Sequence, residues 1–128
     1  MSGPPIELLL LKQVSGYLAM PVFLVDEDGG LEYYNEPAEE LLGLRYEETG
    51  QIPLEVWGKL WAPTDAEGRQ LAPDELPVAV AVRERRPVLG EVSIRRPDGS
   101  HRQITITALP FEAADGTQLG AFALFWES

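Results

Sequence analysis

The stretch VFLVDEDGGLEYYNEPAEELLG, Val22 to Gly43, decides how the rest of the chain is read. Its first four residues are apolar and strand-like. The run Asp26 to Gly30 carries the Asp and Gly that make tight reversals. Leu31 to Asn35 reads as the returning strand, so the two runs predict a hairpin. Glu36 to Gly43 then reads as a helix, with Pro37 early in the first turn and Gly43 at the C-terminal stop. Asn35 falls where the N-cap belongs. Its side-chain oxygen can accept from a free N–H of the first helical turn and so stitch hairpin to helix.

Working outward, Pro4 and Pro5 precede a segment, Ile6 to Ala19, that should be helical. Leu8, Leu11, Ser15 and Leu18 fall on one stripe, while Ile6, Leu9, Leu10 and Tyr17 lie outside it. A helix packed on one surface needs only one apolar face. This one either lies deep against its own domain or is shared with a partner chain. From Arg45 to Ala72 the pattern weakens, with YEET and PLEVWGKLW readable as short helices. Asp74 reads as an N-cap for the helix ELPVAVAVRERR, with Pro77 tolerable in its first turn. Then VLGEVSIRR, HRQITITALPF and LGAFALFW alternate, separated by the turns PDGS and EAADGTQ. They read as an antiparallel meander. The order predicts an α+β domain with one five-stranded antiparallel sheet.

The chain has 128 residues, enough for one domain with one core, and 45% of them are apolar. The longest run of consecutive apolar residues in the N-terminal segment, Leu8 to Leu11, falls far short of the roughly 20 residues that span a bilayer, and nothing basic precedes it. A net charge of −11 repels phosphate backbones and anionic lipid, so neither nucleic acid nor membrane is an expected partner. Cysteine is absent, which removes disulfides, thiolate nucleophiles and thiolate metal sites and suits a cytoplasmic location.

At this point the residues resemble a known family. MPVFLVDEDGGLEYYNEPAEELLG resembles the N-terminal half of a PAS domain. LAPDELPVAVAVRERRPVLGEVSIRRPDGSHRQITITALPFEAADGTQLGAFALFWES resembles that family's last helix and three final strands, with RRPDGS and ALPFEAADG its most specific parts. The resemblance implies an N-terminal amphipathic cap helix over residues 1–19 and a PAS domain over 20–128. It also implies a PAS-like sheet with flanking short helices. Residues 44 to 72, which normally cover a ligand cavity, match loosely. PAS domains inside larger sensors often end in an Asp-Ile-Thr type motif. Here the place reads WES, so the chain is either a single-domain protein or one whose output region has been cut off.

The resemblance also frames the chemistry. Haem-binding PAS members use a His on the long helix. None stands between Glu75 and Arg86, and the lone His101 falls in an expected exposed hairpin. Flavin–Cys or Cys-linked chromophores need a Cys, and the sheet positions lack the amides a flavin would use. No cofactor is therefore expected, although a non-covalent flavin or another non-covalent small molecule stays open. In register with the family, Val92, Ile94, Ile104, Ile106 and Ala108 point inward, joined by Phe23, Val25, Ala121, Ala123 and Phe125. These apolar residues either fill the core or wall a small greasy cavity. Arg83 and Arg85 beside Glu84 and Arg86 read as a solvated helix end.

Catalysis finds little footing. Asp98, Ser100 and His101 are neighbours in one turn and cannot converge as a relay. The DEDGG turn lacks the spaced oxygen ligands of a Ca²⁺ loop, and no metal site is expected. Expected instead is a bacterial-type regulatory or sensory PAS module, not an enzyme, that binds a small ligand or relays a signal through protein contact. The alternative is an interaction domain with a filled core. Phe122, Leu124 and Trp126 should face away from the core, and Leu9, Leu10 and Tyr17 add a matching surplus. Together they predict a homodimer interface, with a downstream signalling protein as a further partner.

Overall fold

The computed structural model describes residues 5–128; Pro4 and the rest of residues 1–4, the start of the segment 1–19, lie outside the described residues. The first helix, α1, is Ile6–Ser15. It stops at Ser15 rather than at the expected Ala19. The buried Ser15 hydroxyl donates back to the Leu11 carbonyl at 2.7 Å, and Tyr17 and Leu18 N–H close onto the Val14 and Ser15 carbonyls as tight turns. Such back-bonding competes with helix propagation.

The hairpin forms as read. Strands β1 (Val22–Val25) and β2 (Leu31–Tyr34) pair antiparallel. Asp26 Oδ1 organises the turn by accepting from Asp28 and Gly30 N–H, each at 2.9 Å. Helix α2 (Glu36–Leu42) ends on Gly43, whose φ of 76° is left-handed. Two short helices follow, α3 (Tyr46–Thr49) and α4 (Leu54–Leu60). A 3₁₀ turn at Pro73–Glu75 precedes α5 (Pro77–Glu84). Asp74 therefore sits inside the 3₁₀ turn and caps nothing. The carboxylate that closes this turn is Glu75, which accepts from Ala72 N–H at 2.8 Å.

Strands β3 (Val88–Arg95), β4 (His101–Glu112) and β5 (Gln118–Glu127) complete one antiparallel sheet in the order β2-β1-β5-β4-β3. The architecture is α+β, with helices flanking a five-stranded antiparallel sheet. Alternation along the strands gives the sheet two faces. Phe23 and Val25 point with Ala121, Ala123 and Phe125 into a core closed by α2, α4 and α5. Val22 and Leu24 point the other way and are also fully buried. The element on that side is α1. Its Glu7 accepts from Ala114 N–H at 3.0 Å, its Lys12 pairs with Glu32 at 3.4 Å, and its Ser15 carbonyl accepts from Asn35 at 2.9 Å.

Candidate functional site

Asn35 is the polar centre of the N-terminal half. It is 1% exposed and uses its whole amide. Oδ1 accepts from Ala38 N–H at 3.2 Å, which caps α2, and from Val22 N–H at 3.0 Å. Nδ2 donates to the carbonyls of Ser15 at 2.9 Å and Met20 at 3.0 Å. One side chain therefore ties the end of α1, the linker after it, β1 and α2 together. The sequence shows the cap. The bond to Val22 follows from the hairpin register, and those to Met20 and Ser15 depend on where the linker and the end of α1 lie.

The core holds a cavity of about 60 Å³ between the sheet and α4, the loop after it, and α5. Seven of the ten wall residues read from the sequence line it: Phe23, Val92, Ile94, Ile104, Ile106, Ala123 and Phe125. Val25, Ala108 and Ala121 are buried in the same core away from this space. The far wall is helical: Leu42, Trp57, Trp61, Pro63, Leu76, Pro77 and Val78. Trp57 and Trp61 are four apart across α4 and its C-terminal end, a spacing that puts both on one face. That spacing in PLEVWGKLW is the signal through which sequence reading could have found them.

Phe23 meets both indoles edge-on, with ring centroids 4.9 Å from Trp57 and 6.1 Å from Trp61. Each indole N–H is held by backbone, Trp57 on the Gly29 carbonyl at 2.8 Å and Trp61 on the Leu42 carbonyl at 3.0 Å. The wall presents no imidazole, no side-chain amide and no charge. Neither a haem, which needs an axial ligand, nor the polar edge of a flavin fits such a wall. Behind Phe23, the stacked Tyr34 donates to the Leu44 carbonyl at 2.8 Å, and burial pushes its phenol up to about 12.

The opposite face of the sheet carries the residues read as an association surface. Leu9, Leu10 and Tyr17 are exposed, Tyr17 at 83%. On β5, Trp126 is exposed, while Phe122 and Leu124 are half-buried. Phe122 packs against Phe111, ring centroids 6.4 Å apart. In cross-strand register Leu124 is flanked by Val22 and Thr107, and Thr107 by Leu89, which is 73% exposed. The apolar band thus runs from α1 across β5 to the β3 edge.

The remaining chemistry-bearing residues do not converge. Ser100 Oγ donates to Asp98 at 2.6 Å within the hairpin turn, and His101 beside them is exposed. Exposed Arg83 donates to the Asp74 carbonyl in the 3₁₀ turn before α5, and Arg86 pairs with Glu84 at the solvated end of α5. Among the described residues no three His, Cys, Asp or Glu side chains cluster to hold a metal ion. No helix among them is long and apolar enough to cross a membrane.

The pattern that defines the PAS domain matches residues 19–127, and the chain belongs to that family. Solved structures share the fold. The PAS domain of a protein from Colwellia psychrerythraea is 18% identical, with a TM-score of 0.66 over 95% of this chain and 97% of that one. A PAS domain from a two-component sensor histidine kinase is 12% identical, with a TM-score of 0.61 over 96% and 97%. The light-state dimer of the fungal blue-light photoreceptor Vivid is 13% identical, with a TM-score of 0.66 over 99% and 97%. No match was found among curated proteins.

Proposed function

We propose that the chain is a sensory and regulatory module without catalytic activity. Its core cavity takes the input, and self-association along α1 and the outer sheet face passes the signal on. In this reading residues 1–19 are the cap and association segment, and 20–128 are the PAS body. The supporting comparisons are a PAS domain of a sensor histidine kinase and a photoreceptor captured as a dimer.

The observation that carries the reading is the apolar surplus of α1. Ile6, Leu9, Leu10 and Val14 are all roughly half exposed or more, although α1 already spends one stripe on its own sheet. A soluble chain seldom leaves such a contiguous surface bare, and a twofold contact buries it against its own copy. Sedimentation of the intact chain beside a Leu10→Glu, Tyr17→Glu variant tests this. The expected result is a dimer at tens of micromolar for the intact chain and a monomer for the variant. An intact chain that sediments as a monomer, or a dimer indifferent to both charges, overturns it.

The cavity supports this reading over that of a filled interaction domain. Native cores hold few voids larger than one water, and here roughly 60 Å³ stands open beside two tryptophans. The same volume lies far below the roughly 300–1,000 Å³ of pockets that take drug-sized ligands. Haem and flavin are accordingly left out of the proposal.

A further inference from the structure

We infer that two copies of this chain pack reciprocally, the α1 helix of each lying on the outer β3–β4 surface of the other. This rests on the reading of the chain as self-associating and adds which surface of one copy meets which surface of its partner. Three observations on the outer face lead to it.

The first is shape. α1 sits toward the β1–β2 side of the sheet. Its Lys12 pairs with Glu32 on β2, its Ser15 carbonyl accepts from Asn35 just after β2, and Val22 and Leu24 on that face of β1 are buried. In the strand order β4 and β3 lie beyond β5. Leu89 on β3 is 73% exposed and Trp126 on β5 is exposed, so α1 does not reach them. A helix is about 10 Å across. The outer face is therefore a step, with a raised ridge and beside it a strip of sheet that α1 leaves uncovered. Such a step fits its own copy turned about a twofold axis that runs along the strands. Each ridge then fills the other's strip.

The second is chemistry. The ridge exposes Ile6, Leu9, Leu10 and Val14. Two cross-strand rows of the strip read Leu89, Thr107, Leu124 and Glu91, Thr105, Trp126. Glu91, at the sheet edge, is the one charge in these ten positions. A contact between the two α1 helices alone would leave Leu89 and Trp126 bare. Reciprocal packing covers both apolar surfaces at once.

The third is charge. At a net −11 two copies repel each other, and like charges set face to face oppose a contact. Ridge and strip let two copies meet without setting carboxylate against carboxylate. The arrangement also links the copies through their cores. Val92, Ile94, Ile104 and Ile106 line the cavity from the inner side of β3 and β4, and the helix across the outer side of those strands belongs to the partner.

The test is sedimentation equilibrium of the full chain and its variants. Leu89→Lys should weaken the dimer at least tenfold with an unchanged far-UV circular dichroism spectrum. Val56→Lys, at a half-exposed position on α4 across the sheet from this face, should leave the dimer intact. Mixing Leu89→Lys with the Leu10→Glu, Tyr17→Glu chain distinguishes reciprocal packing from a contact between the two helices. A mixed pair keeps one unaltered ridge-on-strip contact, and its other contact sets introduced carboxylates against an introduced amine. The mixture should associate at least tenfold more tightly than either variant alone. A dimer indifferent to Leu89→Lys, equal weakening by Val56→Lys, or a mixture no tighter than its components overturns the inference and leaves self-association standing. An intact chain that sediments as a monomer overturns both and leaves this face to a different protein.

Discussion

Replacing Asn35 by Ala removes one amide and takes a hydrogen bond from each of four backbone groups. An N-cap alone is worth about 1 kcal/mol, and that bond is the one to Ala38. The Val22 N–H and the Met20 carbonyl also lose their bonds to the Asn35 side chain. A buried group left unpaired costs about 1–3 kcal/mol. The Ser15 carbonyl is less affected, because Leu18 N–H still reaches it at 3.2 Å. Taking the low end for the two stranded groups, since water can enter the vacated space, the total is about 3 kcal/mol. Domains have about 5–15 kcal/mol in all, so this is a large fraction. With a urea slope near 1–3 kcal/mol per molar, the midpoint should fall by about 1.5 M with no change in slope. Tryptophan fluorescence during urea titration reads the midpoint. A fall of only about 0.5 M, the size of a bare cap, would refute the reasoning that one side chain holds α1, β1 and α2 together.

Two more outcomes are expected. Burial raises the Tyr34 phenol to about 12 against an ordinary value near 10. Its folded pKa is thus higher than its unfolded one, so the associated stability is complete below pH 10 and drains away as pH climbs from 10 through 12. Two units amount to about 3 kcal/mol. Tyr34→Phe should flatten this alkaline limb while losing about 1 kcal/mol at neutral pH with the Leu44 bond, and an unchanged alkaline slope in pH-dependent urea melts counts against it. Purified protein should show neither a Soret nor a flavin band, because the cavity wall has no imidazole and no amide; a copurified visible chromophore would contradict that reading of the wall.

The sheet was legible because its signals are local. Asp26 to Gly30 form a reversal in any context, and strand alternation places Ile104 and Ile106 on one face whatever lies above them. The inner wall of the cavity follows from that period alone. Its helical wall does not. Leu54–Leu60 is too short to hold a helix by propensity, so its position is set by Trp57 and Trp61 packing on Phe23. Asp74 has the chemistry of a cap, but the 3₁₀ turn Pro73–Glu75 absorbs it. By spacing Ser15 is one more stripe position of α1, but its hydroxyl is bonded back to Leu11 and its carbonyl to Asn35, and the helix stops there.

The strand order has a consequence in time. β1 pairs on one side with β2, its neighbour in sequence, and on the other with β5, so Val22 meets Leu124. The hairpin made early by a ribosome is thus only two strands of the five, and a lone two-stranded ribbon is marginal in water. Its free edge stays open until the most distant strand arrives and closes the middle of the sheet. Long-range pairing of this kind slows folding, because the loop entropy is lost before any contact compensates it. A nascent chain halted anywhere before β5 would expose Leu24 and Phe23 along an unpaired edge, a surface suited to chaperones and prone to pairing with other unfinished copies.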